Sequence, residues 1–227
     1  NLLFGNSYLT NLTYPTKINT NLTLDEIYHF SEAKYKLKYK ENFVCFSPER
    51  FVKIENHHIF SNPMKGTIDA SIPNAKQIIL DDEKEAAEHA TIVDLIRNDL
   101  SLVADNVEVT KYRYIDELKT NDKTLLQVSS EIRGDLKVDF HQNIGTIFDK
   151  LLPAGSICGA PKKKTIDIIL EAENYDRKFY TGVFGVFDGE NLDSAVMIRF
   201  IENDKNELFF KSGGGITAKS NAKAEYE

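Results

Sequence analysis

An α+β fold is what this sequence predicts, on three observations. Short apolar runs between turn residues come first, helix-like stretches interrupt them, and strand-like runs close the chain. That order does not alternate strictly as βαβ units do, which argues against a doubly wound parallel sheet.

Residues 42–46, 50–54 and 57–60 read as short strands around tight turns, an antiparallel meander. A helix is expected to begin near Asp81 and Asp82, whose carboxylates can cap free amides, and to run through Glu85, Glu88, Ile92, Leu95 and Ile96. A second helix is expected from Pro161, a favoured first-turn residue, with Ile166, Ile169 and Leu170 on its buried face and its end near Asn174. Three further strand-like runs follow at 180–187, 193–201 and 207–211, split by turns at Asp188-Gly189 and Asn203-Asp204. No repeat, low-complexity tract or Pro/Gly/Ser-rich linker divides the chain, so one domain over residues 1–227 is the expectation. The chain opens on Asn1 without a methionine and stops at Glu227 in a charged, helix-like segment, so truncation at both ends is expected.

The 227 residues are 41% hydrophobic and 28% charged, which suits a water-soluble globular protein. A net charge of −7 leaves no basic footprint for a polyanion, so a nucleic-acid partner is disfavoured. A small anionic substrate would need cations gathered locally. No apolar run approaches the roughly 18 to 20 residues that span a bilayer and no signal-peptide pattern opens the chain, so no membrane association and a cytoplasmic location are expected. Cys45 and Cys158, far apart and without C-x-x-C spacing, read as free thiols. Asn11-Leu12-Thr13 and Asn21-Leu22-Thr23 match glycosylation acceptors by chance.

Several segments carry chemistry. Glu85 and Glu88 share one helix face with Ile92 and Leu95, so two carboxylates lead an apolar stripe. Half-buried acids side by side repel and lose hydration; a hard divalent ion compensates them, and Mg²⁺ takes one or two carboxylates with waters and substrate oxygens. An exposed acidic first turn is the alternative. Arg199 lies in Ala195-Val196-Met197-Ile198-Arg199-Phe200-Ile201, apolar on both faces, and is expected to be buried, seeking either a substrate carboxylate or a protein acid. Ser212-Gly213-Gly214-Gly215 after the last strand, and Gly155-Ser156-Ile157-Cys158-Gly159-Ala160-Pro161-Lys162 before a helix, can crowd backbone amides around an anion or serve as plain flexible turns. The P-loop spacing is absent, which leaves nucleotide triphosphate binding unsupported. Lys65 in Pro63-Met64-Lys65-Gly66-Thr67 is either solvated or, if desolvated in a cleft, a neutral amine able to act as nucleophile. Glu49 in Ser47-Pro48-Glu49-Arg50 is a general-acid candidate only where its site raises its pKa. His57, His58 and His89 lack companions at metal spacing and read as ordinary polar residues.

In order along the chain, Gly5-Asn6-Ser7-Tyr8-Leu9-Thr10-Asn11-Leu12-Thr13, Ser47-Pro48-Glu49-Arg50-Phe51, Pro63-Met64-Lys65-Gly66-Thr67, Glu88 to Asp99, Pro153 to Lys162, Ile198-Arg199 and Gly213-Gly214-Gly215-Ile216 resemble the chorismate-utilising family. That family includes anthranilate, aminodeoxychorismate, isochorismate and salicylate synthases, and the match covers nearly the whole chain. The resemblance implies a two-layer β-sandwich of mainly antiparallel sheets flanked by helices. It implies that Arg199 and Tyr180 hold the enolpyruvyl carboxylate of chorismate, and that Gly66, Thr67 and the amides of Gly213, Gly214 and Gly215 surround the ring carboxylate. Ser156 joins the substrate-binding set. Glu88, assisted by Glu85, would ligate Mg²⁺, and Glu225 looks like the first member of a second acidic pair.

Lys65 matches the lysine of aminodeoxychorismate synthases, where anthranilate synthases carry a small residue. The water-activating lysine of isochorismate and salicylate synthases would align near Leu9, and leucine cannot act as a base. The resemblance therefore implies aminodeoxychorismate synthase component I, with catalytic Lys65 and Glu49 and a glutamine amidotransferase subunit supplying ammonia for folate biosynthesis. Anthranilate synthase component I, isochorismate or salicylate synthase, and a non-catalytic chorismate-binding regulator are the alternatives. Gln127 stands where anthranilate synthases usually place a histidine, and Ser156 and Cys158 replace the usual Thr and Ser. The segment that forms a tryptophan pocket in feedback-regulated relatives is not in this sequence.

Overall fold

A computed structural model of the chain describes residues 1–120, 122–218, 220, 221 and 223. In chain order the elements are β1 (Leu9–Ile18), α1 (Leu24–Phe30), β2 (Tyr35–Tyr39), β3 (Phe43–Ser47), β4 (Arg50–Glu55), β5 (His58–Ser61) and β6 (Met64–Asp69). Then come α2 (Ala75–Asp81), α3 (Glu83–Leu100), β7 (Asp105–Lys119), β8 (Thr124–Asp135), α4 (Ile144–Leu151), α5 (Gly155–Cys158) and β9 (Gly159–Ala160). The last are α6 (Lys162–Ala172), β10 (Val183–Phe187), β11 (Leu192–Val196), β12 (Phe200–Asp204) and β13 (Glu207–Ile216). Antiparallel sheets with helices between their strands make this the α+β class expected. Among the described residues no helix is long and apolar enough to cross a membrane.

The chain falls into two compact units, each built around one sheet. The first comprises Asn1–Pro48, Pro153–Val183 and Val196–Glu227. Its strands run in the order β2-β3-β12-β13-β1-β9. Phe43 and Phe200 stack at 4.6 Å between ring centroids at the centre of its core, with Val44 and Cys45 fully buried beside them. The second unit comprises Glu49–Leu152 and Phe184–Ala195. Its sheet runs β10-β11-β4-β5-β8-β6, with β7 pairing along β8. Ile54, Ile59, Val128 and Ile132 fill its sheet side, and Ile92 and Val93 of α3 are buried with them.

The local signals act as their chemistry requires. Asp82 caps α3 by accepting the amide of Glu85 at 2.9 Å. Asn56 and His57 both adopt left-handed backbone, φ 52° and 63°, and close the β4/β5 hairpin in two residues. Free Cys45 is buried, donates to the Ile198 carbonyl, and burial pushes its thiol up to about 12.

Four expectations shift. The turn expected at Asn203-Asp204 lies two residues later: both belong to β12, and Lys205 and Asn206, φ 53° and 66°, form the loop that lets Asp204 face Glu207. The run 193–201 is not one strand, because β11 ends at Val196 and β12 starts at Phe200. Leu170 is 74% exposed, and Thr165 takes the buried place on α6. The triple glycine does not follow the last strand but lies inside β13, where Gly213 faces Thr13 of β1 and a Cβ would come within 2.7 Å of the Thr13 methyl.

Gly159 has no room for a side chain. It has φ +117°, and a Cβ there would sit 1.9 Å from the Leu9 carbonyl oxygen, inside the β1/β9 pairing. Gly159→Ala is expected to cost on the order of 4 kcal/mol or to abolish folding. Gly189→Ala, with φ +102° but open space around it, should cost only about 1 kcal/mol. Urea denaturation of the two variants side by side checks the difference.

Candidate active site

In the second unit the structure gathers Lys65, Gly66, Glu85 and Glu88. Strand β6 pairs with β8 through Lys65↔Val128 and Thr67↔Gln127, so the register slips by one residue at Gly66, whose φ is +77°. The bulge re-aims the strand so that Lys65 Nζ donates to Glu88 Oε2 at 3.2 Å. Lys65 and Glu88 are 25% and 13% exposed, so this pair is largely withdrawn from solvent. Lys84, one turn before Glu88 and much more exposed, lies 3.9 Å from the other carboxylate oxygen. A Cβ on Gly66 would sit 3.3 Å from Glu85 Oε2, which places the second acid directly against the bulge. Burial, then the Glu88 charge, holds the Glu85 carboxyl above its usual value, while Lys65 pulls it the other way.

Two half-buried carboxylates of this kind suit a hard cation that keeps waters and substrate oxygens as its remaining ligands. Among the described residues no third His, Cys, Asp or Glu joins them in a cluster. Glu225, expected as a further ligand, lies outside the described residues.

Glu49 sits half-buried in the short link between β3 and β4. Thr67 is exposed, and its hydroxyl accepts from Gln127 Nε2 at 3.4 Å. Gln127 Oε1 and the Ser129 hydroxyl, two residues apart on β8 and hence on one face of it, are buried without a partner among the described residues.

The remaining expected residues belong to the first unit. Tyr180 is 4% exposed, its ring 5.7 Å from that of Phe200, and burial pushes its phenol well up. Arg199 departs from the expectation of a buried guanidinium: it is exposed. It has φ +54° in the short bend between β11 and β12, and its carbonyl accepts from the Phe46 amide. A residue at a strand break escapes the alternation that would have turned it inward. Ser156 is half-buried on α5, and Gly213 to Gly215 pair with Thr13 to Asn11 across β1.

The residues alone missed two features. Arg177 is a structural cation, donating to Glu173, to the Ile157 and Asn11 carbonyls and to Thr181, while Glu173 also accepts from the amide and hydroxyl of Thr13. Lys211, 2% exposed, donates to Glu202 at 2.9 Å and to the Arg177 carbonyl. Its place two residues after Phe209, opposite the exposed Phe210 and Ser212, is the signal that marks it.

The second missed feature is His89, which is not an ordinary surface histidine but 1% exposed. Its Nε2 shares a hydrogen with the Ser130 hydroxyl at 2.7 Å, and its Nδ1 has no partner among the described residues. The signal was its offset of three and four from Ile92 and Val93, which puts it at the head of the buried stripe of α3. Burial, helped by Arg113 and Lys65, lowers its pKa to about 4 from an ordinary 6.5. The unfolded chain therefore takes up a proton that the folded chain refuses as pH falls from about 6.5 to about 4, and stability is lost across that window. His89→Gln, measured by urea denaturation in EDTA, should flatten the acid limb by up to one proton, roughly 1.4 kcal/mol per pH unit.

The profile of the chorismate binding enzyme family matches residues 3–227. A protein of Pasteurella multocida named an uncharacterized PabA-like protein is 57% identical over 223 residues, which are 98% of this chain and 69% of that one. Aminodeoxychorismate synthase component 1 of Salmonella typhimurium is 33% identical over 193 residues, 81% of this chain and 41% of that one. The crystal structure of anthranilate synthase component I from Streptococcus pneumoniae superposes with a TM-score of 0.82 at 26% identity, covering 99% of this chain and 52% of that one. The chain thus spans about half or less of these two named synthases. Carrying the family's motifs along its length and the same arrangement of sheets and helices, this chain belongs to the chorismate binding enzymes.

Proposed function

We propose that this chain is the chorismate-binding catalytic part of an aminodeoxychorismate synthase component I. Chorismate and ammonia are its substrates, and 4-amino-4-deoxychorismate, on the way to 4-aminobenzoate and folate, is its product. The observation that carries the reading is Lys65, an amine set on the Gly66 bulge beside two half-buried acids. A 33% identical relative bearing that name supports it.

In this reading Arg199 and Tyr180 hold the enolpyruvyl carboxylate by charge and hydrogen bonding. The amides of Gly213, Gly214 and Gly215, with Gly66 and Thr67, hold the ring carboxylate and the metal surroundings, and Ser156 joins the substrate-binding set. Glu88 and Glu85, with Glu225, would hold Mg²⁺, which would supply Lewis-acid stabilisation of negative charge on the substrate. Lys65, as the neutral amine, attacks ring carbon 2; the two ring double bonds shift, and Glu49 protonates the hydroxyl departing from carbon 4 as water. Ammonia then adds at carbon 4, the double bonds shift back, and the bond to Lys65 breaks. Glu49 accepts the proton that the new amine sheds, so both residues return to their starting state. A glutamine amidotransferase subunit delivers the ammonia, and the chemistry takes place in the cytoplasm.

Incubation of the full-length protein with chorismate, Mg²⁺ and an ammonium salt should yield aminodeoxychorismate, which releases pyruvate and 4-aminobenzoate only after the corresponding lyase is added. Pyruvate released without lyase would show anthranilate formation instead. Lys65→Ala should lower the rate by at least about 100-fold. An unchanged rate, or a switch to anthranilate, would remove Lys65 from the covalent role.

A further inference from the structure

The geometry points to a second role for Lys65: it is the resident counter-ion of Glu88, so a divalent cation must displace it to bind, and the binding of that cation is what releases the lysine towards the substrate. The inference rests on reading Glu85 and Glu88 as the metal-holding pair.

Three observations support it. First, Lys65 Nζ already occupies Glu88 Oε2 at 3.2 Å, in a pair with 25% and 13% exposure where water competes weakly. Second, the neighbouring glycine brings the backbone so near the other acid that a Cβ would lie 3.3 Å from Glu85 Oε2, so ammonium and both carboxylates crowd one small space. Third, Glu85 carries no ion pair or hydrogen bond from its carboxylate among the described residues, so nothing there competes with an incoming cation for its oxygens. A divalent ion bound at about 2.1 Å from a carboxylate oxygen and an ammonium within hydrogen-bond reach of the same oxygen repel strongly, because a mostly dry site screens them little. One of the two has to leave.

Lys84 is the internal contrast. It faces the other Glu88 oxygen from 3.9 Å, but its side chain is half exposed and can swing into water at little cost. Lys65 leaves from a strand bulge into the site itself. Metal and lysine are thus coupled through one carboxylate, and the coupling is reciprocal: whatever draws Lys65 away from Glu88 tightens the metal. The lysine stays held until the cation that prepares the substrate has arrived, and once released it gives a proton to water before it attacks.

Direct binding of Mn²⁺, as a paramagnetic stand-in for Mg²⁺, to the full-length protein without chorismate tests this by electron paramagnetic resonance. Lys65→Gln and Lys65→Met should bind Mn²⁺ about tenfold more tightly than the wild type, equivalent to roughly 1.4 kcal/mol. Lys65→Arg, which keeps the charge, should stay near the wild-type value, Lys84→Gln should move it less than about threefold, and Glu88→Gln should abolish binding. If both neutral variants bind Mn²⁺ no better than the wild type while Glu88→Gln still abolishes binding, the counter-ion role is wrong and the metal pair stands. If Glu88→Gln binds as well as the wild type, or neither wild type nor Lys65→Gln takes up Mn²⁺, the metal pair fails and the counter-ion role with it.

Discussion

The placement of α3 on β8 governs the acid-bearing unit, and one buried side-chain hydrogen bond sets it. His89 meets the Ser130 hydroxyl at 2.7 Å; the same hydroxyl accepts the Arg113 amide of β7, and the Ser130 amide donates to the Pro63 carbonyl just before β6. Ser130 is therefore the junction of the helix that carries Glu85 and Glu88 and the strand that carries Lys65. Apolar packing alone tolerates small slides, whereas a buried directional bond does not. A slide of α3 by one residue, about 1.5 Å with a rotation of about 100°, would carry Glu88 away from the lysine.

The first unit shows how cations drawn away from water are balanced within the chain. Half-buried Arg177 is bound to Glu173 and to backbone carbonyls, and buried Lys211 to Glu202. Removing either partner would strand a charge in the interior, so these pairs serve the fold. Arg199 differs because the bend between β11 and β12 leaves it exposed. Its side chain lies outside the core and takes no part in the pairs made by Arg177 and Lys211.

How much the sequence revealed depended on whether the governing signal was local. Asp82 as a cap, the hairpin strands and the start of α6 follow from residues within a few positions of one another, and the structure has them in place. The family motifs brought Lys65 and Glu88 into one argument, although 23 positions separate them. What stayed hidden was set at long range. Alternation of apolar residues from 193 to 201 continues through the point where the chain leaves one sheet for another, so periodicity could not show that Arg199 sits at a bend. Asn203 and Asp204 have the composition of a turn, yet pairing with β13 holds them in β12. His89 reads as polar by type, and only its phase on the helix reveals that it is interior.

The bulge at Gly66 separates two properties that usually change together in a strand. Backbone direction there is fixed by a positive φ and by the closeness of Glu85, so position 66 admits little besides glycine. Position 65 has no positive φ, and its side chain points where the bulge directs it. The arrangement works like a socket: the mount is held by the strand and the helix, while the fitting it presents to the acids can be exchanged. A fold organised in this way can diversify its chemistry by single substitutions at one address without rebuilding the surrounding frame.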